Sequence, residues 1–321
     1  MIVDLPDTTS SNVSKTLIKI REEGGAVALG RVLTLIIATR LGQEEEVIEA
    51  ANEASREHPM RVIVVSTADP DHPHADAASR LDAQIRVGGD AGASEVIVLR
   101  AYGETASDEE GLVTALLLPD APVVVWWPGT APDVVSTSAL GRIATCRITD
   151  SSSAGDPHEA LLHLAETYAP GDTDFAWTRL TLWRAQLAAA LDQPPYEAVE
   201  SVEVSGAPDS PSTVLLAAWL RLQLDAPVQH DLTARQRGLS GIHGVQLRRA
   251  SGTIELVRDI PDVATLSQPG EPTHDLALPR RNLRDCLAEE LRRLDPDELY
   301  GRVLTKGLPL LEAEEQEATA R

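Results

Sequence analysis

PDAPVVVWWPGTAP, residues 119–132, decides how this chain is read. Val123, Val124 and Val125 run into Trp126 and Trp127, and Pro128-Gly129 ends the run. Alternation along a strand puts Val123, Val125 and Trp127 on one face and Val124 and Trp126 on the other. A strand apolar on both faces belongs in the interior of a sheet with helices on either side, which is the α/β class. Open α/β sheets bind ligands beyond the carboxyl ends of their strands. One indole is therefore expected to cap the core and the other to meet whatever docks at the rim.

The surrounding sequence supports that class. SSNVSKTLIKIREE (10–23) has Val13, Leu17 and Ile20 at helical spacing, with Gly24-Gly25 as the stop. AVALGRVLTLIIAT (26–39) is strand-like, QEEEVIEAANEASREH (43–58) is helical with acids in its first turn, and RVIVVST (61–67) returns as a strand. This strand–helix–strand unit suits a parallel pair. AQIRV and SEVIVLRAY follow as two strands joined by GGDAGA, then a helix over 107–118, then the valine strand, then RIATCRITD (142–150) as a further strand. The polar run SSSAGDP (151–157) marks a domain boundary.

Beyond it, HEALLHLAETY and WTRLTLWRAQLAAAL (177–191) read as helices, AVESVEVS (198–205) as a strand, and SPSTVLLAAWLRLQL (210–224) as a buried helix, apolar almost all round. Residues 242–278 carry two or three strands, and 280–294 form a long helix with Leu283, Leu287, Leu291 and Leu294 in register. The expected organisation is two α/β domains, 1–155 and 156–310, each a mixed sheet flanked by helices, with 311–321 a flexible acidic tail.

In the helix over 177–191, Leu180, Trp183, Leu187 and Leu191 fall on one stripe, with Trp177 at its edge and Arg184 inside it. An arginine on a buried face must pair, snorkel or meet a partner. Tryptophan beside arginine (Trp177, Arg179, Trp183, Arg184) has the composition of an interface hot spot. A core helix with one internal ion pair accounts for it as well.

Composition narrows the function. Lys plus Arg number 28 against 50 Asp plus Glu, a net charge of −22. This balance disfavours non-specific nucleic-acid binding and binding to anionic membranes. The chain lacks an apolar run of the ~18 residues that a span needs and opens without a signal-like segment. Cys146 and Cys286 are far apart in sequence, which fits a reducing cytoplasm and buried, inert thiols.

The search for chemistry finds little. GxGxxG after a strand, GxxxxGK[ST], GxSxG and HExxH are all missing. GGDAGAS (88–94) suits a hairpin turn or a phosphate-binding loop. DPDHPHAD, with Asp69, Asp71, His72, His74 and Asp76, suits a solvated loop or a divalent cation. Neither carries a cofactor or metal assignment.

PDAPVVVWWPGTAP, LGRIATCRITD, FAWTRLTLWRAQLAAAL and LPRRNLRDCLAEELRRLDPDELY, with IVDLPDTT, GGAVALGRVLTLII and HPMRVIVV before them, resemble the glucose-6-phosphate dehydrogenase assembly protein family, OpcA. The resemblance runs in order to about Tyr300; its most specific parts are the WWPG strand and the W-x-R-L-T-x-W-R helix. It implies a non-catalytic protein that binds glucose-6-phosphate dehydrogenase and promotes its active oligomeric form, with no cofactor of its own. Residue type and position nominate Trp126, Trp127, Pro128 and Gly129 as partner contacts, then Trp177, Arg179 and Arg184. The competing reading is a sugar-phosphate-binding enzyme, with WWPG as a stacking platform and Arg280, Arg281 and Arg284 as phosphate ligands.

Overall fold

The computed structural model describes residues 1–24, 30–68, 78–88, 95–232 and 241–319. The first strands and helices are β1 (Ile2–Leu5), α1 (Ser10–Gly24), β2 (Leu33–Arg40), α2 (Glu44–Ala54), β3 (Met60–Thr67), β4 (Arg80–Arg86), β5 (Glu95–Tyr102), α3 (Glu109–Thr114), β6 (Val123–Trp126) and β7 (Cys146–Thr149). Then come α4 (Pro157–Thr167), β8 (Asp172–Asp174), α5 (Phe175–Thr178), α6 (Thr181–Leu191), β9 (Ser201–Gly206), α7 (Pro211–Leu224) and β10 (Val228–Asp231). The chain ends with β11 (Ile242–Arg249), β12 (Gly252–Ile260), β13 (Val263–Ser267), β14 (His274–Ala277), α8 (Leu283–Glu290), α9 (Glu298–Arg302), a π-turn at Val303–Gly307 and α10 (Leu308–Thr319).

Two compact units result, each drawing on separate stretches of chain. One comprises Met1–Thr149, Gly171–Thr173 and Leu283–Pro296; the other Asp150–Pro170, Asp174–Asn282 and Asp297–Arg321. Both are α/β with a mixed sheet, as the sequence leads one to expect.

In the first unit the sheet order is β1-β4-β5-β3-β2-β6-β7-β8. β2, β3, β5, β6 and β7 run parallel, while β4 lies antiparallel beside β5 and β1 antiparallel beside β4 at one edge. LTLIIATR, MRVIVVST, EVIVLRAY and VVVW are near-continuous apolar runs, and Leu35, Ile63, Ile97 and Val125 are fully buried, as strands covered on both faces require. The chain steps from β2 through β3 to β5 on one side, then crosses back to β6 and β7 on the other. The order reverses between β2 and β6, where Ile37 pairs with Trp126. α8 packs on α2, with Arg284 reaching Glu53 at 3.4 Å and Arg292 reaching Glu57 at 2.6 Å.

In the second unit the order is β10-β9-β11-β12-β13-β14, antiparallel except for the parallel β10–β9 pair. Val202, Val204, Val245, Leu247, Ile254 and Leu256 alternate with polar residues, so one face of this sheet is buried. α7 packs against β9 and β10, and its residues Thr213 to Ala218 are all buried, matching a helix that is apolar almost all round.

Several elements depart from the sequence reading. The helix expected over 177–191 is broken into α5 and α6. Ser212 Oγ donates to the carbonyl of Ala176 at 2.9 Å, and Leu180 N turns back to Trp177 O instead, a three-residue tightening. Residues 242–278 hold four strands, and the helix expected over 280–294 is regular only within α8. Residues 311–319 continue α10 instead of fraying: Leu311 is buried, and Glu314 accepts from Arg221 Nε at 2.6 Å and from the Val228 amide at 3.2 Å. The clusters at 69–76 and 89–94 lie outside the described residues.

Candidate functional site

The first unit has a crevice at the carboxyl ends of β2, β3 and β6, lined in part by Thr39, Gln43, Glu109, Trp127, Gly129 and Thr130. It sits where the strand order reverses, the place where doubly wound sheets take their ligands. Pro128-Gly129 stops β6 there. Trp126 is fully buried within β6; Trp127 is 3% exposed, and its amide donates to Ile148 O at 2.9 Å. Both indoles thus belong to the core of the isolated chain, while Pro128 is half-buried and Gly129 and Thr130 are exposed at the rim.

The positive end of α2 opens onto the same end of the sheet. In a sheet of this order, such a helix N-terminus is suited to a bound phosphate. Here the chain supplies its own anion. Glu44, 4% exposed, accepts from Gly42 N at 2.9 Å, from Ser66 Oγ at 2.8 Å and from Arg100 Nε at 3.1 Å. Glu45, one residue on, is gripped by both Nη atoms of Arg86 at 2.8 and 2.5 Å, which holds its carboxyl below its ordinary value. Burial pushes Glu109, on the crevice wall, the other way. The acids of QEEE stood out in the sequence as a helix start; that one of them fills the place of an anion was not apparent until β3 and β5 brought Ser66 and Arg100 to it.

In the second unit, Trp177, Arg179 and Arg184 form two separate contacts. The Arg184 guanidinium lies 3.7 Å from the Trp177 ring centroid, a cation–π stack. Trp177 Nε1 donates to Asp297 Oδ2 at 2.9 Å, and the rings of Tyr300 and Tyr168 continue the stack at centroid spacings of 5.8 and 6.0 Å. Arg179 forks onto Asp150 at 2.8 and 2.7 Å and also reaches Ser152 Oγ at 3.1 Å. Trp177 is buried and Arg184 half-buried, so it is mainly Arg184 that presents this stack to solvent.

The three arginines near residue 280 do not act as one group. Arg280 and Arg281 line a cleft of the second unit with Arg179 and Arg258, whereas Arg284 belongs to the first unit and pairs with Asp285 at 3.2 Å and Glu53 at 3.4 Å. Arg258, buried on β12, went unnoticed in the sequence because it looks like any polar position of an alternating strand.

Both cysteines are buried, and burial together with Glu290 pushes the Cys146 thiol up to about 12. It is therefore protonated at neutral pH. Among the described residues no cluster of His, Cys, Asp and Glu has the arrangement of a metal site, and no helix is long and apolar enough to cross a membrane.

Residues 51–166 match the family model described as glucose-6-phosphate dehydrogenase subunit N-terminal domain, and residues 170–304 the corresponding C-terminal domain. The OxPP cycle protein OpcA of Nostoc punctiforme is 25% identical over 228 residues, 66% of this chain and 49% of that protein. The OpcA protein of Synechocystis is 32% identical over 103 residues, 31% of this chain and 22% of its own length. The chain thus spans about half the length, or less, of these curated relatives. Among solved structures, an oxidoreductase from Sinorhizobium meliloti superposes with a TM-score of 0.50 at 11% identity, covering 90% of this chain and 98% of that one. At that identity the likeness concerns the fold alone.

Proposed function

Because the chain belongs to the glucose-6-phosphate dehydrogenase assembly protein family, we propose that it is a non-catalytic partner of glucose-6-phosphate dehydrogenase that promotes the enzyme's active oligomeric form in the oxidative pentose phosphate pathway. The observation that carries the non-catalytic part is Glu44. The sheet has the strand order of dinucleotide-binding proteins, yet the helix end that would face a pyrophosphate holds a buried carboxylate with three donors of its own. A diphosphate brought there would meet like charge at close range, with the nearby donors already engaged.

The mechanism is differential binding. A partner that contacts the active state of the dehydrogenase better than the inactive one shifts the equilibrium by that difference, typically about 1–3 kcal/mol. The exposed Pro128-Gly129-Thr130 rim, rigidly backed by Trp126 and Trp127, is the first docking surface; the Arg184 end of the Trp177 stack is the second. The test is to assay the purified chain and its cognate dehydrogenase alone and together. The mixture is expected to turn over faster than the dehydrogenase alone, with the isolated chain inactive. Turnover of glucose 6-phosphate by the isolated chain, free of contaminant, would overturn the reading.

A further inference from the structure

The cleft of the second unit is lined by four arginines, Arg179, Arg258, Arg280 and Arg281, around a space of about 640 Å³ including its open mouth. The concentration of cations is notable in a chain of net charge −22. Arg258 is only 6% exposed, and taking a guanidinium out of water is costly. It is held by the carbonyls of Ile242 at 2.8 Å and Leu278 at 3.4 Å, and stands 5.5 Å from the Trp183 ring centroid. Two irregularities in the sheet flank it: the β11–β9 register shifts between Ile242 and Gly244, and the β12–β13 register between Val257 and Ile260. Bulges of this kind re-aim side chains and are enriched beside functional sites.

The other cations are also positioned in advance. Arg281 Nη1 donates to Thr178 O at 3.0 Å, and Arg179 is fixed by its fork onto Asp150. α7, 14 residues long, begins at the cleft wall after its cap Ser210 and adds the positive end of its dipole. Carboxylates oppose this charge: Asp209 on the wall, Asp150 behind Arg179, and Asp262 acting on Arg258. They do not dominate at Arg258, whose affinity for its proton is lowered first by burial and then by repulsion from Arg280, against the weaker attraction of Asp262.

We propose that this cleft binds the phosphate group of a small phosphorylated metabolite, with Arg258 at its base and Arg280 and Arg281 at its rim. A carboxylate is satisfied by one arginine fork, as Asp150 is by Arg179; a phosphate dianion has three terminal oxygens and the charge to engage several guanidiniums at once. The site requires no catalysis and stands apart from the partnership with the dehydrogenase, so it is tested on this chain alone.

Inorganic phosphate and glycerol 3-phosphate are titrated against the protein by calorimetry and thermal melting, beside sodium chloride at matched ionic strength and acetate as the carboxylate control. Saturable binding and a rise in melting temperature are expected with both phosphates but not with chloride or acetate. Arg258→Gln is expected to abolish the binding. Because that buried variant can also compromise folding, R280Q and R281Q at the rim serve beside it, each expected to weaken phosphate binding about tenfold, with the exposed R280Q keeping the native melting temperature in the absence of ligand and R281Q lowering it slightly through the lost bond to Thr178 O. The proposal is overturned by phosphate behaving like chloride, by acetate binding as tightly as phosphate, or by the doubly substituted rim binding as the native chain does.

Discussion

Beside the crevice of the first unit the buried carboxylate of Glu44 stands at the start of α2 and accepts from Gly42 N, Ser66 Oγ and Arg100 Nε. The side chains around it differ sharply in what their loss would do. Trp126 and Trp127 are 0% and 3% exposed, so Trp126→Ala and Trp127→Ala are each expected to cost about 3–5 kcal/mol of folding stability, read by denaturant titration. Gly129 has open space where a side chain would stand, so Gly129→Arg is expected to leave stability unchanged and weaken co-elution with the dehydrogenase. Glu109 allows a test by pH. Burial raises its folded-state pKa above 4.5, so the folded chain holds the proton more tightly than the unfolded one. Native stability from this group therefore falls as pH rises through 4.5 toward the raised value. Glu109→Gln should be more stable than the native chain at neutral pH, and the difference should vanish well below 4.5; denaturant midpoints at the two pH values check the sign.

At the scale of elements, α7 and the π-turn approach each other backbone to backbone. A Cβ on Gly307 would sit 2.7 Å from the carbonyl oxygen of Ala218, a backbone atom that cannot swing aside. Gly307→Ala is expected to destabilise the second unit by about 1–3 kcal/mol, measurable as a lowered unfolding midpoint. Which elements were legible in the sequence follows from where their information lies. The valine strand, β2, β3 and β5 were readable because burial on two faces writes a continuous apolar run, and α7 because burial all round does the same for a helix. The break between α5 and α6 was not readable, since it depends on Ser212, 36 positions from the carbonyl it takes. β1 was missed because four residues with every second one exposed carry too little pattern to register. The site divides in the same way. The WWPG rim and the Trp177–Arg184 contact arise from neighbours in sequence, whereas Arg258 and Glu44 acquire their settings from strands far along the chain.

At the scale of the molecule, the two compact units do not correspond to two halves of the chain. The first includes Gly171–Thr173 and Leu283–Pro296, and α8, whose Cys286 and Leu287 are fully buried, packs on α2. A fragment ending at residue 155 would lack β8 and α8, leaving an open sheet edge beside β7 and an uncovered helix face. Such a fragment is expected to show no cooperative unfolding transition, whereas the same fragment supplemented in trans with a peptide spanning 280–296 should regain part of it. Circular dichroism melts of the two samples decide the point.

The interleaving also sets a timetable for synthesis. Domains usually fold in turn as the ribosome delivers them, the first closing before the second is made. Here α8 must emerge before it can pack on α2, by which time Asp174–Asn282 of the second unit has already been delivered. The first unit begun is therefore completed late, and the nascent chain is expected to hold the α8-facing side of α2 uncovered until residues 283–296 have been made.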